Sequence, residues 1–137
     1  MMRILTLLLL FIGTGFAEPV LSGEPIQHAG DPVMGKAVFL DRSTGHCLLC
    51  HSVKQIAEPS QGTLGPALDD VGNRLSADQL RVRISDGTRL NPDTAMPAYF
   101  RQAPLNRVAA EYVDKTVLTE QEVEDLVAYL LTLKSAP

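Results

Sequence analysis

Cys47-Leu48-Leu49-Cys50-His51 is the stretch on which the reading of this chain turns. Two thiols with two residues between them and a histidine directly after is the pattern by which a haem is attached covalently. Each thiol adds to one vinyl group of the porphyrin, and the next residue presents its imidazole to the iron. Attachment also retains the cofactor in a small domain. Three other readings of the same residues are weaker. A disulfide between Cys47 and Cys50 would close a very small loop and constrain little. A thioredoxin-like redox pair wants a βαβ pattern, and none is visible. A zinc site needs a second pair of ligands at zinc spacing, and that pair is absent, with only His46 and His28 left over.

Working outward, the 137 residues are 45% hydrophobic but only 5% aromatic, with no Trp and two Cys. That allows one small domain and excludes a multidomain enzyme. Twelve Lys and Arg against sixteen Asp and Glu, a net charge of -4, give no electrostatic footprint for nucleic acid or an anionic membrane. Residues 1–17 read as a signal peptide: Arg3 supplies the positive end, Ile4 to Ile12 is apolar apart from Thr6, and Gly15-Phe16-Ala17 offers a cleavage site. A membrane anchor is the weaker reading, because the apolar run is well short of the ~20 residues a span requires. An exported, periplasmic protein is expected. Residues 18–30 contain Pro19, Gly23, Pro25 and Gly30 without a hydrophobic period and read as an extended arm, leaving 31–137 as the domain.

Asp31-Pro32 is an N-cap followed by proline at the first helical position, and Val33, Ala37 and Leu40 recur at helical spacing, which predicts a helix over Pro32 to Leu40. Residues 53–73 lack a long periodic segment and read as an irregular loop. Ser76 with Gln79 is a capping box that predicts a second helix over Ala77 to Ser85, stopped at Asp86-Gly87. Thr119 with Glu122 opens the strongest element, in which Val123, Leu126, Val127, Leu130 and Leu131 form a helical stripe. The expectation is an all-α domain whose long loops wrap something or serve a site.

A haem used for electron transfer takes a sixth ligand. Beyond the leader the candidates are Met34, Met96, His28 and His46. Met34 falls in the first helix, where a core methionine is ordinary. His46 is tied beside Cys47, and His28 sits in the arm. Met96, followed by Pro97 in a loop well downstream of His51, has enough chain behind it to fold round and is the expected ligand. Thioether ligation raises the iron's potential, which suits an electron acceptor. A ligating imidazole also donates its other N–H, and Gly65-Pro66 offers a backbone carbonyl for it. Arg74, Arg81, Arg83 and Arg89 are each open to two readings, a partner for a haem propionate or part of a solvated face.

The order of these features resembles class I cytochrome c over nearly all of the chain beyond the leader. That resemblance implies that Pro66 supplies the carbonyl accepting from His51, and that the first and last helices cross, with Val33, Ala37 and Leu40 meeting Leu126, Val127 and Leu130; of the four arginines, Arg74 is the one expected in the cofactor site. A narrower likeness rests on Gly45-His46-Cys47-Leu48-Leu49-Cys50-His51-Ser52-Val53, Leu64-Gly65-Pro66, Val71-Gly72-Asn73-Arg74-Leu75, Leu90-Asn91-Pro92-Asp93-Thr94-Ala95-Met96-Pro97-Ala98-Tyr99 and the helix through Tyr129-Leu130. Together these resemble the SoxX family, monohaem cytochrome subunits of the sulfur-oxidising SoxAX complex. His46 departs from the Asn common at that position in the family.

What the resemblance implies is the electron-accepting subunit of a heterodimer that acts as an L-cysteine S-thiosulfotransferase. The SoxA partner, through a haem-ligating cysteine, joins thiosulfate to the carrier cysteine of SoxYZ. The electrons pass through the one haem c of this subunit, ligated by His51 and Met96, to a small soluble cytochrome. With no cysteine beyond the haem pair, this chain has no residue to bear the sulfur chemistry. The rim near Cys47, Cys50 and the Met96 loop is expected to face SoxA. The segment from Asn91 to Lys115, with Tyr99, Arg101, Arg107 and Tyr112, is either part of that interface or a cover for the haem. Two other functions stay open at this point: a free-standing periplasmic electron shuttle of the same fold, and a non-haem redox or metal protein.

Overall fold

The computed structural model describes residues 29–101 and 109–135. The expected leader, nearly all of the arm, His28 and Arg107 lie outside them. Among the described residues five helices follow in order: α1 (Pro32–Leu40), α2 (Cys47–Cys50), α3 (Val71–Arg74), α4 (Ala77–Asp86) and α5 (Glu120–Thr132), with 3-10 turns at Gly87–Arg89 and Ala110–Tyr112. Among the described residues there is no strand, and the all-α reading holds.

The helix starts are written in side chains. The Asp31 carboxylate accepts from the backbone N–H of Val33 at 2.8 Å, ahead of Pro32 at the first position of α1. Ser76 with Gln79 and Thr119 with Glu122 form reciprocal capping boxes on α4 and α5. Each cap satisfies N–H groups that have no partner within the helix, at about 1 kcal/mol apiece. α3, which carries no long period, falls in the segment expected as loop. It is held by tertiary contact: Gly72 N–H donates to Leu133 O at 2.9 Å, and a Cβ on Gly72 would meet the backbone at Leu130 and Leu131.

α1 crosses α5, but not on the expected face. Val33 is 75% exposed, and Ala37 and Leu40 also point outward. Met34, expected in the core, is exposed too. The buried residues of α1 are Gly35 and Phe39, one turn apart. The reason is Gly35 itself: a Cβ there would overlap the Asp125 carbonyl, so the helices approach at the glycine and the packing face rotates onto it. A pattern counted over apolar side chains cannot register a contact made by a residue without one. Phe39 then packs on Tyr129 with ring centroids 5.4 Å apart and planes tilted by 57°.

α5 is the hub. Val123, Leu126, Val127 and Leu130 are buried as expected, Leu131 only in part, and Tyr129 and Leu133 add to the core. Helices α1, α3 and α4 all pack on it, which is why its buried surface extends well beyond one stripe. Asp125 is buried at the crossing with α1, where its Oδ1 accepts from Asp31 N–H at 2.7 Å and from Gln121 Nε2 at 2.8 Å. α4 is fastened to α5 by Arg81, whose Nε and Nη2 donate to the two Glu124 oxygens at 2.5 and 2.8 Å. That bidentate pair, partly shielded from water, holds the Arg81 guanidinium more firmly charged than usual.

Candidate functional site: a cavity between α2, α4 and α5

The helices enclose a cavity of about 430 Å³. Its wall is largely apolar, built from Phe39, Leu68, Leu80, Ile84, Leu126 and Leu130 among others, and it also takes in Cys47, Cys50, His51, Met96 and Tyr99. The two thiols come together because α2 is a single helical turn, so positions i and i+3 lie on one side of it. The turn is entered through His46 at φ 50°, a left-handed conformation that His, Asn and Asp adopt more readily than most residues. That gives a backbone reason for finding either His or Asn at this position. The approach to the turn is ordered by Asp41, whose Oδ1 accepts from Ser43 N–H and Oγ at 2.7 Å and whose Oδ2 accepts from Thr44 Oγ1. Those hydrogen bonds, Thr44 first, hold its carboxyl down at about 2.

The turn ends at His51, whose backbone is extended and whose N–H returns to Cys47 O. His51 Nδ1 lies 2.7 Å from Pro66 O. A carbonyl can only accept, so Nδ1 carries the proton and Nε2 keeps its lone pair for a metal. Gly65 makes this approach feasible: a Cβ there would fall on the imidazole ring. The loop is tied back by Gly65 N–H to Cys50 O and Gly62 N–H to Leu48 O, both 2.8 Å, and by Leu68 N–H to Ser52 O at 2.9 Å.

This donor set fits a covalently attached haem. Cys47 and Cys50 are both free thiols on the cavity wall. Burial pushes the Cys47 thiol up to about 11, so it is neutral. One imidazole is oriented with a free lone pair, one thioether shares the cavity, and the remaining lining suits the face of a porphyrin. Among the described residues no cluster of three or more His, Cys, Asp and Glu offers an alternative metal site.

The arginines divide. Arg74 and Arg83 reach the cavity wall. Arg74 is also held by Asp70 at 2.8 Å and by Ala67 O at 2.9 Å. Arg81 is spent on α5, and Arg89 is exposed away from the lining. Of the residues expected at an interface, Tyr99 is in the cavity wall, where burial first and the two cysteines second push its hydroxyl up to about 12. Arg101 is turned onto Asp86, while Tyr112 is 61% exposed. Sequence reasoning passed over Gly65 as a contact and Thr94 as a support for Met96, whose N–H donates to Thr94 Oγ1 at 3.2 Å. The Gly before Pro66 was the available sign for the first; nothing in the pattern marked the second.

No curated protein sequence matches the chain. Among solved structures it is similar to SoxXA from P. pantotrophus, with 28% identity and a TM-score of 0.72 over 80% of this chain and 85% of that one. It is also similar, at 24% identity and a TM-score of 0.49 over 75% of this chain and 90% of that one, to the c-type cytochrome SorU from Sinorhizobium meliloti. The cytochrome c family matches over residues 33–134, a span that runs from the first turn of α1 past the end of α5 and contains the whole cavity. The chain belongs to the cytochrome c family, whose cofactor is a covalently bound haem c.

Proposed function

We propose that this chain is the electron-accepting monohaem subunit of a SoxAX-type complex in the periplasm, exported by a leader cleaved after Ala17. The observation that carries the reading is the likeness to SoxXA across four-fifths of the chain, joined to a sequence with no cysteine beyond Cys47 and Cys50. In the reaction assigned to such a complex, thiosulfate joins the thiol of a SoxYZ carrier cysteine through a new S–S bond, releasing one proton and two electrons. The sulfur chemistry belongs to a SoxA-like partner, and this subunit relays the electrons to a small soluble cytochrome.

When bound, the haem supplies a one-electron ferric/ferrous couple. The chain's own residues do the rest. Cys47 and Cys50 hold the porphyrin by thioether bonds, and His51, aimed by Pro66 O, is the first iron ligand. Met96 is the second and favours the reduced state. Arg74 and Arg83 are the cations available to the propionates, and the aliphatic wall excludes water.

Affinity purification of the holoprotein from periplasm tests the role. Recovery as a stable pair with a larger haem protein is the expected result; a chain that stays monomeric in the presence of a SoxA-like cytochrome is a free-standing shuttle instead. Met96→Ala tests the ligand, since loss of the weak far-red sulfur-to-iron charge-transfer band is expected of the ferric protein. Survival of the band would remove Met96 from the iron.

A further inference from the structure

Met96 sits in a loop that leaves the end of α4 and returns beside it. On the way out lie the 3-10 turn Gly87–Arg89 and a turn at Asn91, whose Oδ1 accepts from Asp93 N–H at 3.1 Å. On the way back Tyr99 and Phe100 donate their N–H groups to Ile84 O and Ser85 O at 3.1 and 3.0 Å. The loop therefore has a base where residues 84–88 and 99–101 run side by side.

Side chains lock that base. Arg101 Nη1 lies 3.5 Å from Asp86 Oδ1 and 3.4 Å from Thr88 Oγ1, and Thr88 donates to the same Asp86 oxygen through Oγ1 at 2.5 Å and N–H at 3.2 Å. Two features mark this as more than a surface pair. An aspartate in the last turn of a helix opposes the helix dipole, so Asp86 is badly placed for α4 and well placed only for the loop. Arg101 Nε is buried without a hydrogen-bond partner among the described residues, and that desolvation has a cost. From the clasp the path to Met96 is short. Gly87, between Asp86 and Thr88, faces the Thr94 methyl, and Thr94 Oγ1 receives the Met96 N–H.

We propose that Arg101 is a positioning residue for Met96, acting through a clasp with Asp86 and Thr88 that fixes the base of the loop. It rests on the reading of Met96 as an iron ligand. Arg101 touches neither iron nor porphyrin in this role; it sets how readily the thioether leaves.

The test is the affinity of the ferric holoprotein for added imidazole, which must displace the methionine, measured with the far-red band and with urea denaturation. Arg101→Leu is expected to bind imidazole about tenfold more tightly than the parent, and Arg101→Lys, which keeps the charge, to move back toward it. Thr88→Val, a milder change that decides the matter if Arg101→Leu does not fold, is expected to shift affinity about threefold. Lower urea resistance with unchanged imidazole affinity would make the clasp a structural brace only and overturn the proposal. If Met96→Ala keeps its far-red band, the ligand reading and the clasp fall together. If Met96→Ala loses the band while the Arg101 and Thr88 variants bind imidazole like the parent, the clasp alone is wrong.

Discussion

The segment carrying Cys47, Cys50 and His51 and the loop carrying Met96 both deliver side chains to one cavity, and they are built on opposite principles. The first is local. Thiols and imidazole lie within five residues, and the return loop is stitched to them by backbone hydrogen bonds at 2.8–2.9 Å and by a glycine pressed on the imidazole. The second is remote. Met96 sits in a loop whose own hydrogen bonds are short turns, Leu90 and Asn91 N–H to Gly87 O and Thr94 N–H to Asn91 O, and the ties that join the loop to α4 lie at its base, between residues 84–88 and 99–101. Groups that must react together within one turn can be positioned by backbone geometry; a ligand supplied from elsewhere in the chain depends on tertiary support.

The sharpest break of this contrast is removal of the attachment chemistry. Cys47→Ala with Cys50→Ala is expected to abolish the haem that survives denaturation, visible as loss of haem-dependent peroxidase staining in a denaturing gel. Next come paired glycine substitutions. Gly65→Ala places a methyl on the His51 ring and is expected to cost about 2–3 kcal/mol in urea denaturation, whereas Gly87→Ala, with φ -63° and Thr94 Cγ2 3.6 Å away, should stay within about 1 kcal/mol of the parent. Equal losses at the two positions would erase the distinction. Replacing His46 with valine at φ 50° should cost about 1–2 kcal/mol, and replacing it with glycine should cost less, compared in the same denaturation series.

The smallest effect is a change of slope. Asp41 has a folded-state pKa of about 2 against an ordinary 3.8. A depressed carboxyl contributes stability that is complete above the ordinary value and disappears as the pH falls toward 2. Asp41→Asn should flatten the loss of stability between pH 4 and 2, and an unchanged slope would show that the hydrogen bonds to Ser43 and Thr44 do not order the approach to the haem turn.

The same contrast governs what could be read from the chain before its structure. Caps and periodicity placed α1, α4 and α5 well because Asp31, Ser76, Thr119 and the stripe of α5 act within a few residues. The Cys-x-x-Cys-His stretch is local for the same reason. Apolar periodicity points to the wrong inward face of α1 because Gly35 decides that face through a contact with Asp125, ninety residues away. α3, the burial of Asp125, the place of Tyr99 in the cavity wall and the pairing of Arg101 with Asp86 are likewise tertiary facts, which no local pattern states.

The tie between Asp31 and Asp125 spans 94 positions and joins the first helix to the last. A chain cannot make that tie until α5 is in place, and among the described residues α1 has no other large helical partner. Docking of α5 is therefore the step that completes the cavity wall opposite Cys47, Cys50 and His51.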